Sequence, residues 1–252
     1  MPLVIDSGYT PTFADPDVQA YVTAVEEADG QALEYSVAYA INSFVLGCKQ
    51  DGIWDAIKAS CILAGARTLN GALIPLKGTA PTNNNFVSGD YNRKTGLMGN
   101  GITKYLDSNR NNNADPQNSN HNSVYFSESI GGVPLFLESD VNNSDVGSNA
   151  LGWWNVGYYY MRNRKTGTEA SITGTLQTGF IGASRNESSS FNGRAVGRSV
   201  NFSRASTIPV NGNIFLKCYG RLAFYSIGES LDLAKLDTRV TDLINAFAAA
   251  IP

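Results

Sequence analysis

Apolar residues in the first sixty positions recur with the period of helices. Asp15 followed by Pro16 is a typical helix start, and an apolar stripe at i, i+3, i+4 and i+7 comes next, made of Val18, Tyr21, Val22 and Val25. Gly30 is a typical helix end. We predict a second helix over 31–47, with a short helical turn at 53–57.

After residue 60 the pattern changes to short apolar runs broken by Gly, Asn, Pro and Ser, which is typical of a sandwich or barrel. Strands are predicted at 61–64, 71–76, 122–127, 133–138, 152–161, 170–176, 178–184, 190–196, 199–204, 213–219 and 221–227. A last amphipathic helix is predicted from Ser230 or Asp232 to Ala249. We therefore predict an N-terminal arm and helical subdomain over 1–60, and a β-sandwich with a C-terminal helix over 61–252.

Composition and charge exclude several classes of protein. The net charge of -3 and the pI near 5.2 provide no basic surface for nucleic acid. The first residues lack a basic and apolar leader pattern, and no apolar run reaches about 18 residues, so we predict no signal peptide and no membrane insertion. Cys48, Cys61 and Cys218 lack metal-ligand spacing, which predicts buried free thiols in a protein made in a reducing cytoplasm.

The stretch 83–122 carries twelve asparagines and seven charged residues in forty positions, which makes it a candidate ligand-binding region. Oxygen-bearing side chains occupy alternate positions at Asp107, Asn109, Asn111, Asn113 and Asp115. The helix-loop-helix calcium spacing fails, because Asn112 replaces its glycine and Asn118 replaces its glutamate. We predict no metal in such a loop. A calcium site built from separate loops stays open beside a solvated loop whose Asn side chains cap their own turns.

An aromatic segment at 152–161 is predicted to be one strand. Alternation places Trp154, Val156, Tyr158 and Tyr160 on one face, which we interpret as the core. The other face carries Trp153, Asn155 and Tyr159 together with Gly157 and Met161. A face of aromatic rings and amides can stack on a sugar ring or pack against a neighbouring subunit, and ordinary core or loop cover is the third alternative. Trp153, Asn155 and Tyr159 are therefore the main candidates for ligand binding.

Catalytic patterns are incomplete. Glu138-x-Asp140-x-Asn142 resembles the alternating carboxylates of one glycosidase family, but Asn142 stands where the acid/base carboxylate is needed. His121, the single histidine, lies in a predicted loop without a nucleophile motif nearby. We predict that the chain is not an enzyme.

Four arginines recur within twenty residues on predicted strands and turns. They are Arg185, Arg194, Arg198 and Arg204. Two interpretations stay open for them, a solvated polar sheet face and an interface with an acidic neighbour.

Three segments carry a resemblance to a known group of proteins. They are GDYNRKTGLMGNG at 89–101, KYLDSNRNNNADP at 104–116 and RLAFYSIGESLDL at 221–233. Their texture and order resemble concanavalin-A-like, laminin-G-type sandwich proteins, and more narrowly virion proteins of tailed bacteriophages, including those of cyanobacteria. The resemblance implies a jelly-roll sandwich with an N-terminal helical element and a C-terminal helix. It also implies a place in the virion, after synthesis in the host cytoplasm, and capsid or tail proteins as partners.

We therefore predict a noncatalytic structural protein of a phage particle, either a capsid decoration or a tail- or fibre-associated module. Tyr9, Pro11 and Phe13 mark an extended N-terminal segment that is predicted to be an assembly arm. By analogy with the symmetry of capsids and fibres, we expect a homo-oligomer, with a trimer favoured. The alternative is a tail-fibre adhesin that binds host surface glycans.

Overall fold

The structure is a computed structural model that describes residues 11–132, 134–139, 146–154 and 157–252. The helices are α1 Pro16–Asp29, α2 Tyr35–Gln50, α3 Leu69–Ala72 and α4 Leu233–Ala250, with short 3₁₀ turns at Trp54–Ala56 and Ser88–Asp90. The strands are β1 Ile57–Ile62, β2 Thr82–Asn84, β3 Tyr91–Asn92, β4 Gly96–Asn111, β5 Asn120–Ser129, β6 Leu135–Glu138, β7 Asn149–Trp154, β8 Tyr158–Asn163, β9 Ala170–Thr173, β10 Gly179–Arg185, β11 Phe191–Ala195, β12 Arg198–Phe202 and β13 Asn213–Gly228.

The long helices begin and end where local capping allows. The Asp15 carboxylate accepts hydrogen bonds from the first turn of α1, and Gly30 ends that helix with a left-handed φ of 68°. Asp232 caps α4 in the same way. These two helices confirm the sequence prediction. The predicted second helix is shifted, because the Leu33 N–H is held by the Glu26 carboxylate at 2.9 Å and the chain turns helical only at Tyr35.

One antiparallel sheet folds over on itself to form a sandwich. Its strand order is β12-β11-β10-β5-β13-β6-β7-β8-β9, and β1 and β4 also pair with β13. The second half of β13 pairs with β1 and β5, whereas its first half pairs with β4 and β6. The first layer thus contains β12, β11, β10, β5 and β1, and the second contains β4, β6, β7, β8 and β9. The two layers face each other where β10 and β11 meet β7, β8 and β9.

Two glycines form the corner at which β13 leaves one layer and enters the other. Gly220 has a φ of 145°, and a Cβ atom there would lie 2.3 Å from the Glu128 carbonyl oxygen. Gly99 pairs with Gly220 on β4, and its Cβ would lie 2.3 Å from the Cys218 carbonyl oxygen. A side chain at either position would collide with backbone, so the bend depends on glycine.

Two hydrophobic cores hold the molecule together. The inner core lies between the sheet layers and includes Phe126, Phe136, Leu151, Tyr159 and Met161. The helical core lies between the first layer and helices α1, α2 and α4; it includes Val22, Phe44, Phe180, Phe224 and Phe247. The layers therefore stack as helices, first sheet layer and second sheet layer. The outer face of the second layer points away from the helices.

The predicted mainly β chain with N-terminal helices and a C-terminal helix is confirmed. The predicted domain boundary near residue 60 falls inside β1, and the division into two domains stays a prediction.

Some strand predictions are wrong. Residues 71–76 contain the end of α3 and a turn, because the Thr68 hydroxyl caps that helix and the Asp29 carboxylate binds the backbone before it. The predicted strand 152–161 is a hairpin of two strands, β7 and β8. The predicted strands 213–219 and 221–227 are the single bent strand β13. The sixteen-residue strand β4 was missed, because its Gly and Asn content hides the alternation of a strand.

Candidate functional site

The aromatic segment has its two faces the opposite way round from the prediction. Tyr159 is fully buried in the inner core, where its hydroxyl donates to the Thr175 carbonyl oxygen at 3.0 Å. Trp153 packs on the same core, and its indole N–H donates to the Gly174 carbonyl oxygen at 3.2 Å. Tyr159 therefore cannot meet a ligand, and this prediction is wrong. Asn155 lies outside the described residues.

The opposite face of this hairpin carries Trp154, Tyr158 and Tyr160, of which Trp154 is exposed, Tyr158 is half-buried and Tyr160 is buried. Trp154 is 44% exposed, and its ring meets the Tyr160 ring edge to face at 6.0 Å. The Tyr160 ring lies over Gly152, where a Cβ atom would come within 2.3 Å of it. The absent side chain at Gly152 thus makes room for the ring to lie against the sheet.

The pairing of strands extends this face across the second layer. Phe215 pairs with Glu138 on one side, and Lys217 pairs with Tyr105 on the other. The Tyr105 and Phe215 rings meet edge to face at 5.7 Å. The Lys217 ammonium lies 5.8 Å and 6.0 Å from these two ring centroids, within reach of a cation–π contact.

We call this surface the outer aromatic face and define it by Tyr105, Glu138, Trp154, Tyr158, Tyr160, Arg162, Phe215 and Lys217. Ion pairs lie among its rings. The Lys217 ammonium is 2.6 Å from the Glu138 carboxylate, and Arg162 Nε donates to the Glu169 carboxylate at 2.8 Å. Such a face offers ring surfaces for stacking and fixed donors and acceptors for hydroxyl groups. It can hold a sugar or a flat protein surface.

The side-chain oxygens of the candidate calcium residues Asp107 and Asn111 accept hydrogen bonds from within the protein. Asp107 accepts from the Asn109 N–H at 2.8 Å and from the Asn213 amide at 3.1 Å. Asn111 accepts from the Asn113 N–H at 3.0 Å. The predicted self-capping of turns accounts for the two contacts that span two residues, whereas the Asn213 amide reaches Asp107 from the neighbouring strand β13. In the described part of the chain, no group of three or more His, Cys, Asp or Glu residues is placed to hold a metal ion.

Several polar residues in the second half of the asparagine-rich stretch are buried, among them Asn112, Asp115, Asn120 and Asn122, which the sequence did not predict. We call this region the polar end of the sandwich; it consists of Asn112, Asp115, Asn120, Asn122, Asn149, Asn163, Arg164 and Arg185. Arg164 donates to the backbone carbonyl oxygens of Asn112, Asp115 and Pro116. The loop therefore wraps a buried guanidinium, whose burial lowers the pKa of Arg164 to about 10.

His121 is on strand β5 and fully buried, so the predicted loop position is wrong. Its Nδ1 lies 2.6 Å from the Glu229 carbonyl oxygen and its Nε2 lies 2.7 Å from the Ser226 hydroxyl. Because a carbonyl only accepts, Nδ1 carries the proton and Nε2 accepts from Ser226. Burial lowers the pKa of His121 to about 4. The ring is neutral and has no free nitrogen to offer a substrate.

The four arginines do not form one surface. Arg185 is fully buried, and its guanidinium donates to the carbonyl oxygens of Asn163, Ser190 and Arg204. Arg194 pairs with Asp237 of α4 at 2.7 Å. Arg198 is exposed at the edge of the sandwich and donates to the Thr173 carbonyl oxygen at 2.5 Å. The surface interpretation is therefore wrong for Arg185.

Other candidates have mixed outcomes. Pro11 is buried and Phe13 packs on the helical core, while Tyr9 lies outside the described residues, so the assembly arm stays a prediction. Asp140 and Asn142 of the glycosidase-like pattern also lie outside them. The three cysteines are buried free thiols, as predicted, and burial raises the pKa of both Cys48 and Cys61 to about 12. Within the described ranges, no helix is both long and apolar enough to span a membrane.

A polar cleft of about 440 Å³ lies on the other side of the molecule, between β10–β12 and the start of α4. Its side chains include Ser184, Asn192, Ser199 and Asp232. Asp232 is occupied in capping α4, and Ser184 is bonded to the backbone of Leu231 in both directions. The described residues that line this cleft include no aromatic ring, so it offers a sugar less stacking surface than the outer aromatic face does.

Comparisons with known proteins place the fold. No protein-family model and no curated protein matches the sequence. Among solved structures, the botulinum neurotoxin serotype D binding domain matches with a TM-score of 0.52, 12% identity and coverage of 75% of this chain. The receptor binding domain of botulinum neurotoxin C/D mosaic serotype matches with a TM-score of 0.51, 12% identity and the same 75%. This chain spans about half the length of both, covering 51% of each.

The CBM40 of Ruminococcus gnavus IT-sialidase is a more distant neighbour. Its TM-score is 0.39 at 10% identity, over 48% of this chain and 82% of that one, which is too low to support a shared fold. The toxin binding domains support the predicted fold class, a mainly β sandwich with a C-terminal helix, which is confirmed. These matches do not test the predicted bacteriophage origin, which stays a prediction.

Proposed function

We propose that this chain is a noncatalytic carbohydrate-binding module and that its glycan lies on the outer aromatic face. The observation that carries the proposal is the half-exposed Trp154, braced by Tyr160 and continued across the sheet by Tyr105 and Phe215. Large half-exposed rings beside fixed polar groups are costly to leave in water and suit a ligand with both apolar and hydroxylated faces.

The fold neighbours are consistent with a binding role. The two toxin structures are named as a binding domain and a receptor binding domain. Those names concern the toxins, and identity of 12% transfers only the fold. The noncatalytic part of the proposal is supported by the buried, fully bonded His121 and by the ion-paired Glu138.

The test is a glycan array with purified protein, followed by titration of the best ligand. We expect Trp154→Ala to weaken binding about 10-fold, because stacking on the ring is lost. Tyr39→Ala is the matched control, since Tyr39 is also an exposed aromatic but lies on α2 in the helical layer. Equal affinity of Trp154→Ala and the wild type would contradict the proposed site, and silence across the array would contradict the function.

A second candidate is a subunit contact within a phage particle. Ile102, Ile130 and Tyr219 are exposed apolar side chains on β4, after β5 and on β13, and they favour a protein partner for this part of the surface. We propose the virion setting on the sequence resemblance, the trimer by analogy with the symmetry of capsids and fibres, and the N-terminal arm on the extended segment that carries Tyr9, Pro11 and Phe13. Sedimentation of the purified protein gives its oligomeric state. Immunolabelling of particles would give its location.

A module that binds host glycans from a particle surface would combine both candidates. The Trp154→Ala variant distinguishes glycan binding from a subunit contact. If glycan binding is absent and Trp154→Ala converts an oligomer into monomers, the outer aromatic face is a subunit interface.

A further inference from the structure

The two cations that lie beside the rings of the outer aromatic face, Lys217 and Arg162, are each held by a carboxylate. Lys217 lies 2.6 Å from Glu138, and Arg162 Nε lies 2.8 Å from Glu169. Asp107 lies on the same face, because it pairs with Phe215 in the sheet. These groups place two cations beside three carboxylates, before the edge of the sheet is considered.

Arg198 brings one more cation to the edge of this face from β12. Its guanidinium donates to the carbonyl oxygen of Thr173, which pairs with Tyr158 on the neighbouring strand. Arg198 sits at the edge, where its hydrogen bond goes to a neutral carbonyl oxygen. Counting it, the described residues of the face carry three cations and three carboxylates, and therefore no net positive charge among them. The aromatic rings are also partly engaged with a cation, since the Lys217 ammonium lies within about 6 Å of two of them.

We infer that the ligand class of the outer aromatic face is a neutral glycan, built of uncharged sugars, and not a sialylated or uronic-acid glycan. This inference rests on the proposed carbohydrate-binding function. An acidic sugar at the centre of the face needs a cation there that is free to donate charge-assisted hydrogen bonds to its carboxylate, and Lys217 and Arg162 are already ion-paired. Recruiting Lys217 for that purpose would separate it from Glu138 and leave this carboxylate beside the ligand's own negative charge.

The ion pairs suit uncharged hydroxyl groups better. A sugar hydroxyl both donates and accepts, so it can receive a hydrogen bond from Lys217 and donate one to Glu138 without separating them. The same holds for Arg162 and Glu169. Trp154, the last residue of β7, supplies the stacking surface for the sugar ring.

The first experiment is an array that carries neutral glycans and their acidic derivatives, such as lactose and α2,3-sialyllactose, read at low and high salt. We expect neutral glycans to bind, with little dependence on salt, because no ion pair with the ligand forms. Binding of acidic glycans in preference to their neutral parents would overturn the inference and leave the carbohydrate-binding function standing. Absence of all binding would overturn both.

The second experiment changes the charge of the face. Glu138→Gln keeps the shape and the acceptor oxygen but frees the Lys217 charge. Affinity for α2,3-sialyllactose should rise about 3-fold, a gain that high salt removes. The matched control is Glu128→Gln, because Glu128 makes a similar ion pair with Arg221 at 2.7 Å on β5, in the other layer. A sialyllactose affinity that is equal in Glu138→Gln, in the control and in the wild type would contradict the role given to the ion pair.

Discussion

Two arginines are buried at the polar end, Arg164 at 1% exposure and Arg185 at 0%. Burying a charge is unfavourable unless its hydrogen bonds are made inside the protein. Both guanidinium groups donate to backbone carbonyl oxygens of loops and strand ends, which themselves need partners. The two guanidinium groups therefore fill this end of the sandwich and donate hydrogen bonds to carbonyl oxygens of irregular backbone. An apolar side chain in the same place would leave those carbonyl groups unpaired.

His121 predicts a pH dependence of stability. Its folded pKa is about 4, against an ordinary value of 6.5, because burial disfavours the charged ring. The unfolded chain takes up the proton first as pH falls, so stability is fully present above pH 6.5 and is lost between about 6.5 and 4. The loss should reach roughly 3 kcal/mol, measured by urea unfolding over this range.

The variant that isolates this effect is His121→Asn. The chain has one histidine, so no other side chain of this type titrates in the window. The carboxyl groups Asp15, Asp17 and Asp51 have pKa values lowered by their hydrogen bonds to Lys49 or Arg239, and their contribution is lost only at lower pH. A pH profile that stays as steep in His121→Asn as in the wild type would contradict the assignment.

At the scale of elements, the bend of β13 creates both sheet layers from one strand. Gly220→Ala should destabilise the fold by about 3 kcal/mol, because its Cβ would meet the Glu128 carbonyl oxygen at a φ of 145°. Thermal unfolding of the variant measures the change. Gly89→Ala is the control, since a Cβ there meets nothing within 4 Å. If both variants melted at the wild-type temperature, the corner would not depend on glycine.

At the scale of the whole molecule, the helical core joins elements from both ends of the chain. Phe247 of α4 is fully buried, and its ring fills the space beside Gly65, just after β1. Phe247→Ala should cost about 3–5 kcal/mol and lower the melting of helices and sheet together, in one transition seen by circular dichroism and by tryptophan fluorescence.

The control for this prediction is Leu46→Ala on α2. Leu46 is 44% exposed, so its loss should change stability by less than about 0.5 kcal/mol. Two separate transitions in the wild type would instead support the predicted division of the chain near residue 60.

The helices and the mainly β class could be predicted from sequence because their signals are local. Asp15 and Asp232 cap helices through neighbours two or three residues away, and the apolar stripes follow within the same segments. The candidate site could be predicted only in part. The aromatic segment 152–161, predicted as one strand, was chosen as a binding candidate, but Trp153 and Tyr159 were selected, whereas Trp154 is the exposed ring.

The periodicity, the helix caps and the low fraction of charged residues are properties of the sequence alone. Only the tertiary structure decided which face of each strand is inside, because alternation distinguishes two faces without saying which one meets the other layer. The burial of Arg164 likewise depends on the tertiary structure. Its partner Asn112 lies 52 positions away in the chain, and a polar residue is buried only where such distant partners satisfy it.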